Sequence, residues 1–381
     1  MDSAMSKADI PFLKPHLPEL EKYEACLREV EARRVYSNFG PVNARFEAGL
    51  LETFFGGAGA ITTVNNATIA LMVALKLHGR TGRRYVIMPS YTFAATPLAA
   101  MWAGFMPYFV DIEAGSWAAD PAAITAAIDT LKDDVAAVVP YATFGNSIDL
   151  DYYAGLERSG IPVVVDAASS LGCRDGALNF GAGFPGIVIY SLHATKSFPV
   201  GEGGLLYSAR PDLVSTMRQM LNFGFDATRS AILPGLNGKL PEILACIGLA
   251  TLEDFPAVTA QRRAVTEHYG RMIMESGLLA KGWQVQDARG DVVRQFFPML
   301  TPPGISGLDV AQFLAERGVQ VRNYFDPACH QQPAFVECPH ADLDYTEAIA
   351  TRSISLPLWN ELPLDAVDRI VALLDEATGR G

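Results

Sequence analysis

The chain has 381 residues, 50% hydrophobic and 19% charged, enough for two domains with sizeable cores at roughly 150 residues each and far from the composition of disorder. A net charge of -12 removes the electrostatic footprint of a nucleic-acid binder, although a local site can still hold a small anion. The five cysteines (Cys26, Cys173, Cys246, Cys329 and Cys338) are scattered and form no Cys-x-x-Cys pair. Neither a metal site nor a disulfide framework is therefore indicated, and reduced thiols in a cytoplasmic protein are expected.

The chain opens with Asp2, Lys7 and Asp9 before any apolar stretch, unlike a signal peptide. Ile61 to Val64 reads as a strand and Thr68 to Leu77 as a helix. Tyr85 to Val110 carries no charge and is long enough to cross a bilayer, but Pro89, Pro97, Gly104 and Pro107 break it into strand, loop, helix and strand. A buried core explains it better than a membrane span. Pro121 to Leu131 reads as a helix, Val135 to Val139 as a strand, Tyr152 to Ser159 as a helix, and Val163 to Val165 as a strand ending at Asp166. Ile187 to Ser191 and Gly204 to Tyr207 are two further strands.

Continuous apolar strands alternating with helices predict an α/β fold with a mostly parallel sheet covered on both faces. In such sheets ligands bind beyond the carboxyl ends of the strands, where several polar residues of this chain fall. After about Thr251 the pattern changes. A charged helix is expected at Gln261 to Met274, strands at Val293 to Leu300 and Val319 to Arg322, and helices at Leu308 to Arg317 and Leu364 to Ala377. The division expected is a large domain over 1–254, including an N-terminal arm, and a smaller α+β domain over 255–381.

The chemistry concentrates in Val163 to Ser208, which reads VVVDAASSLG, then IVIYSLHATKSF, then PVGEGGLLYS. Asp166 ends one strand and Lys196 follows just past another. This pair is what pyridoxal 5'-phosphate (PLP) requires: an amine to bond the cofactor aldehyde and a carboxylate to keep the pyridine nitrogen protonated. Taken alone, such an Asp is more often a cap and such a Lys a solvated loop residue.

The surrounding motifs decide the matter. SLHATKSF with GEGG, and DAASSLG before it, resemble the lysine and aspartate segments of the DegT/DnrJ/EryC1/StrS family of sugar aminotransferases. VNNATIALMVAL, MPSYTFAATPLA with PYFVDIE, GLNGKLPEILACIGLATLE, and NYFDPACHQQPAF with SISLPLW resemble further segments of the same family, in the same order. The resemblance implies a fold-type I PLP aminotransferase with a seven-stranded sheet. Lys196 would be the Schiff-base lysine and proton shuttle, and Asp166 the partner of the pyridine nitrogen. Phe93 would stack on the cofactor ring. Ala67 and Thr68, opening a helix, would cradle the phosphate with Ser191, and Asn237 would reach the phosphate of a partner subunit in a homodimer with shared sites. His330 would lie near the substrate, whereas His193 reads as structural.

Four positions depart from the family pattern. Ser169 stands where Gln or His is usual, facing the cofactor's O3' edge; Ala67 replaces a common Gly; Gly238 and Lys239 replace Tyr-Arg. Family members whose lysine is replaced by histidine act as dehydratases, so Lys196 favours aminotransfer. The expected reaction moves an amino group from L-glutamate to a nucleotide-linked keto-deoxysugar, with overall likeness to enzymes of dTDP-linked 3- or 4-keto-6-deoxyhexoses serving polysaccharide or natural-product synthesis. A PLP-binding regulator without turnover is the alternative. An NAD-dependent oxidoreductase is disfavoured, because Gly57-Ala58-Gly59 precedes its strand and lacks the third glycine.

Overall fold

The computed structural model describes residues 9–379; Asp2 and Lys7 lie outside them. The first two helices, α1 (Leu20–Arg33) and α2 (Pro41–Phe55), precede the sheet. Proline at N1 starts α2, and Gly56 in the left-handed region ends it. The buried Glu242 carboxylate accepts the Val42 and Asn43 amides at 2.9 and 3.0 Å, so the free donors of the α2 N-terminus are capped from 200 residues away.

Then strand and helix alternate: β1 (Ala60–Val64), α3 (Ala67–His78), β2 (Tyr85–Pro89), α4 (Ala95–Ala103), β3 (Met106–Val110), α5 (Pro121–Leu131), β4 (Val135–Val138), α6 (Leu150–Arg158) and β5 (Val164–Asp166). A short hairpin, β6 (Arg174–Asp175) and β7 (Leu178–Asn179), leads to β8 (Ile187–Ser191), β9 (Gly204–Ser208) and α7 (Pro211–Met220). β3-β2-β4 form a parallel ladder, and β1-β9-β8-β5 form a mixed one in which only β5 and β8 pair in parallel. Bridges Val138–Val163 and Tyr141–Asp166 join β4 to β5, giving the seven-strand order β3-β2-β4-β5-β8-β9-β1 with only β9 antiparallel to its neighbours. β4, β5, β8 and β9 are buried at every position, which is why they read as unbroken apolar runs. Separate apolar clusters cover the faces, one around Phe46, Phe198 and Tyr207 and the other around Leu75, Met88 and Met217.

α8 (Glu242–Glu275) is one continuous helix of 34 residues, not the short one expected from Gln261 to Met274. The charged face of its second half is what the sequence displayed; its first half is apolar because it packs against α1 and α2. Alone among the described helices it is long and apolar enough to cross a membrane, yet it lies within the fold, with α11 beside its second half. The division expected at residue 254 falls inside it. Beyond it come β10 (Gln284–Val285), β11 (Phe297–Leu300), α9 (Gly307–Ala315), α10 (Asp344–Ala350), β12 (Ser353–Leu356) and α11 (Leu364–Thr378). β10-β11-β12 form an antiparallel sheet over a third apolar cluster around Tyr269, Trp283 and Leu314.

Three local expectations are corrected. Val319 to Arg322 makes no strand: Val319 bridges Ile10 and Arg322 bridges Ser355, so the N-terminal arm takes the place of a ladder partner. β11 begins at Phe297, four residues later than expected, because the buried Arg294 and Gln295 are turned to side-chain contacts. Cys26 of α1 and Cys246 of α8 are paired as a disulfide, where reduced thiols were expected. Their pairing follows from helix packing across 220 residues and leaves no trace in local spacing.

Candidate active site

Asp166 and Lys196 meet at the carboxyl ends of β5 and β8. Asp166 ends β5, and its carboxylate is 97% buried, since only 3% of the residue is exposed. Burial pushes its pKa up, opposed by the hydrogen bond from Thr96 Oγ1 at 2.6 Å, the Ala168 amide at 3.1 Å, and the charge of Lys196. Thr96 lies in the first turn of α4 and also contacts Thr92 Oγ1 at 3.1 Å. Neither threonine was picked out from sequence; their i, i+4 spacing on the MPSYTFAATP segment was the available signal.

Lys196 sits in the loop between β8 and β9. Its Nζ donates to Ser169 Oγ at 2.9 Å and to Gln295 Oε1 at 3.1 Å. Desolvation lowers its pKa to about 8, with Asp166 pulling the other way. A lysine so tuned is neutral in a sizeable fraction near neutral pH, the state in which it is a nucleophile or base. Gln295 comes from the C-terminal part of the chain and had not been recognised. It is carried there by Phe296, whose ring lies 5.0 Å from Phe144 in an aromatic cluster with Tyr91, Tyr141 and Phe325.

The start of α3 faces the same end of the sheet. Asn66 caps it, accepting the Ile69 amide at 2.9 Å, so Ala67 and Thr68 begin the helix as expected. Gly204 packs against this turn: a Cβ there would stand 2.9 Å from the Ala67 amide nitrogen, so only glycine keeps the helix N-terminus open. That open, capped N-terminus suits a phosphate. Ser191, buried at the end of β8, accepts the His193 amide at 3.3 Å. Asn237 is exposed, and its neighbour Gly238 accepts the Asn65 amide at 2.8 Å, which ties that segment to the start of its own α3. Phe93 is 58% exposed and lies 6.5 Å from Phe325. His330 sits beside the end of β2: Ser90 Oγ accepts its amide at 3.0 Å and contacts Nδ1 at 2.7 Å, while Nε2 reaches Glu347 at 3.1 Å. Both ring nitrogens thus have partners within the chain.

The residues fit PLP. A buried carboxylate, a desolvated lysine and a helix N-terminus kept open by Gly204 stand at one end of one sheet. No group of three or more His, Cys, Asp or Glu residues suited to a metal occurs among the described residues.

Comparisons with known proteins bear on the family and the fold. A crystal structure from Bacillus cereus ATCC 10987, described as a PLP-dependent aminotransferase, superposes with a TM-score of 0.94 at 42% identity, covering 96% of this chain and 99% of that one. The structure of DesI in the presence of its TDP-sugar product superposes with a TM-score of 0.87 at 29% identity, covering 100% and 95%. The dTDP-4-amino-4,6-dideoxy-D-glucose transaminase of Escherichia coli is 29% identical over 383 residues, 97% of this chain and 99% of its own. The family model of the DegT/DnrJ/EryC1/StrS aminotransferases matches residues 19–375, and the chain belongs to that family of PLP-dependent enzymes.

Proposed function

We propose that the enzyme transfers an amino group from L-glutamate to the keto group of a nucleotide-linked deoxysugar, a dTDP-linked 3- or 4-keto-6-deoxyhexose, in polysaccharide or natural-product biosynthesis. The observation that carries this reading is Lys196, desolvated and held by Ser169 and Gln295 beside Asp166. Kinship to the DesI and E. coli proteins, whose names specify dTDP- or TDP-linked sugars, supports the acceptor.

When bound, PLP supplies a cationic ring that takes up the electron pair left by the departing α-proton. The chain's own residues do the rest. Asp166 would face the ring nitrogen: burial favours its neutral form, the hydrogen bonds from Thr96 and Ala168 favour the carboxylate, and a cationic ring beside it would favour the carboxylate further. The first amides of α3 and the Ser191 hydroxyl would hold the phosphate, and Phe93 would cover the ring and exclude water. The Lys196 amine would serve as the base that accepts the substrate's α-proton and holds it for return.

A homodimer with shared sites would cover several large apolar side chains that this chain leaves exposed. Phe93, Met101, Trp102, Phe223 and Ile232 are all exposed, Trp102 by 76%, and Asn237 lies on the same loop as the last two.

The test is hydride trapping. Borohydride reduction of reconstituted protein should fix the cofactor mass to the peptide bearing Lys196, and Lys196→Ala should carry none. Incubation with L-glutamate should release 2-oxoglutarate from the wild type at a rate at least about 100-fold above that of Lys196→Ala. A cofactor adduct on another lysine, or an unchanged rate, would refute the assignment.

A further inference from the structure

Gln295 makes three side-chain contacts that together fix which end of its amide faces Lys196. Oε1 accepts from Lys196 Nζ at 3.1 Å and from Ser169 Oγ at 3.2 Å. Nε2 donates to Thr195 Oγ1 at 3.3 Å. The Thr195 hydroxyl, occupied as an acceptor there, has its own proton free for His193 Nδ1 at 2.9 Å, which also accepts the Thr195 amide at 3.3 Å. His193 Nε2 in turn faces Glu202 at 3.5 Å. A flipped amide would aim two N–H groups at an ammonium and leave Thr195 without its donor, so the orientation is determined by the network.

Ser169 reaches Lys196 through a short hydroxyl and itself donates to Gln295 Oε1. Gln295, 92% buried, reaches the lysine from a segment 99 residues beyond it. Its backbone is clamped: Arg262 Nη1 donates to the carbonyls of Arg294 at 3.0 Å and Gln295 at 3.5 Å.

We infer that Gln295 is a positioning residue for Lys196, supplying from the C-terminal part of the chain the amide that Ser169 is too short to provide. It holds the amine whenever that amine is free, so that the lysine re-enters each half-reaction from one fixed place. The inference rests on the proposed role of Lys196, but its test does not.

The test uses cofactor-free protein. Competitive labelling with acetic anhydride across pH, read peptide by peptide in a mass spectrometer, gives the protonation midpoint of Lys196 alone. The groups facing it are Asp166 directly and, around Gln295, Arg262, Arg294, His193 and Glu202. Gln295→Leu keeps the volume and removes the acceptor, so the midpoint should fall by about one pH unit. Gln295→Glu should raise it by at least about one unit, since Arg262 and Arg294 favour an ionised carboxylate there. Adding Ser169→Gln to Gln295→Leu should recover more than half of the lost shift. Midpoints that stay fixed, or that move the same way in both single variants, would overturn the inference, as would failure of the second substitution to restore the midpoint. If Gln295→Leu fails to fold, the rise in Gln295→Glu decides alone. Absence of a trapped adduct at Lys196 would end its proposed role while leaving these midpoints as measured.

Discussion

At the scale of single residues, the site is built against stability. Lys196 has its pKa depressed to about 8 from an ordinary 10.5, so the folded state binds the lysine proton more weakly than the unfolded chain does. The charged lysine therefore costs stability below pH 8, and the cost fades as pH rises from 8 toward 10.5. The apoprotein of Lys196→Met should be more stable than the wild type at pH 7 by on the order of 2–3 kcal/mol. That difference should shrink across pH 8 to 10.5, as paired urea melts at each pH would show; a difference independent of pH would contradict the assigned cause. Asp166 and Lys196 were legible in the sequence because each sits in a contiguous motif whose chemistry names it. Thr96 and Gln295 were not: each meets its partner across 70 or 99 residues, and apart from the i, i+4 spacing of Thr92 and Thr96 local sequence carries no mark of such contacts.

At the scale of elements, the site depends on where strands stop and α3 starts. Strand ends were legible because a strand buried on both faces must turn polar where it leaves the core, as Asp166 and Ser191 do. The start of α3 was expected near Thr68, and the structure adds the cap that the sequence reading did not single out, Asn66. Replacing Asn66 by Ala should cost about 1 kcal/mol of stability and let the first turn fray. Because Ala67 and Thr68 lie in that turn, the apparent Kd for PLP should rise several-fold, whereas an alanine at Asp120, which caps α5 by accepting the Ala122 amide at 2.8 Å, should lower stability alone. Thermal melts and fluorescence titration with the cofactor separate the two effects. The C-terminal elements were less legible. Val319 to Arg322 has strand composition, but the edge it lies along is filled by Ile10 from the other end of the chain. The apolar first half of α8 was hidden in a motif recognised for its resemblance and not for its periodicity.

At the scale of the molecule, the decisive question is which chain completes which site. Phe93, Trp102 and Phe223 are large apolar side chains left exposed. Asn237 is exposed on the same loop as Phe223, while the Gly238 carbonyl anchors that loop to Asn65 of its own chain. The backbone is thus fixed from within while the side chain is free to face outward. If Asn237 serves a partner's phosphate, Lys196→Ala and Asn237→Ala subunits have complementary defects. A heterodimer of the two contains one site with an intact lysine and an intact asparagine, donated by different chains. Equal mixing with random reassociation makes half the dimers hetero, so about one quarter of wild-type activity should return from two inactive parents. If Asn237 serves its own chain's site, every lysine-bearing subunit lacks its asparagine and mixing restores nothing. Native mass spectrometry of the mixture, which resolves the heterodimer from the two homodimers by mass, alongside the rate of 2-oxoglutarate release, distinguishes failed reassociation from a site completed within one subunit.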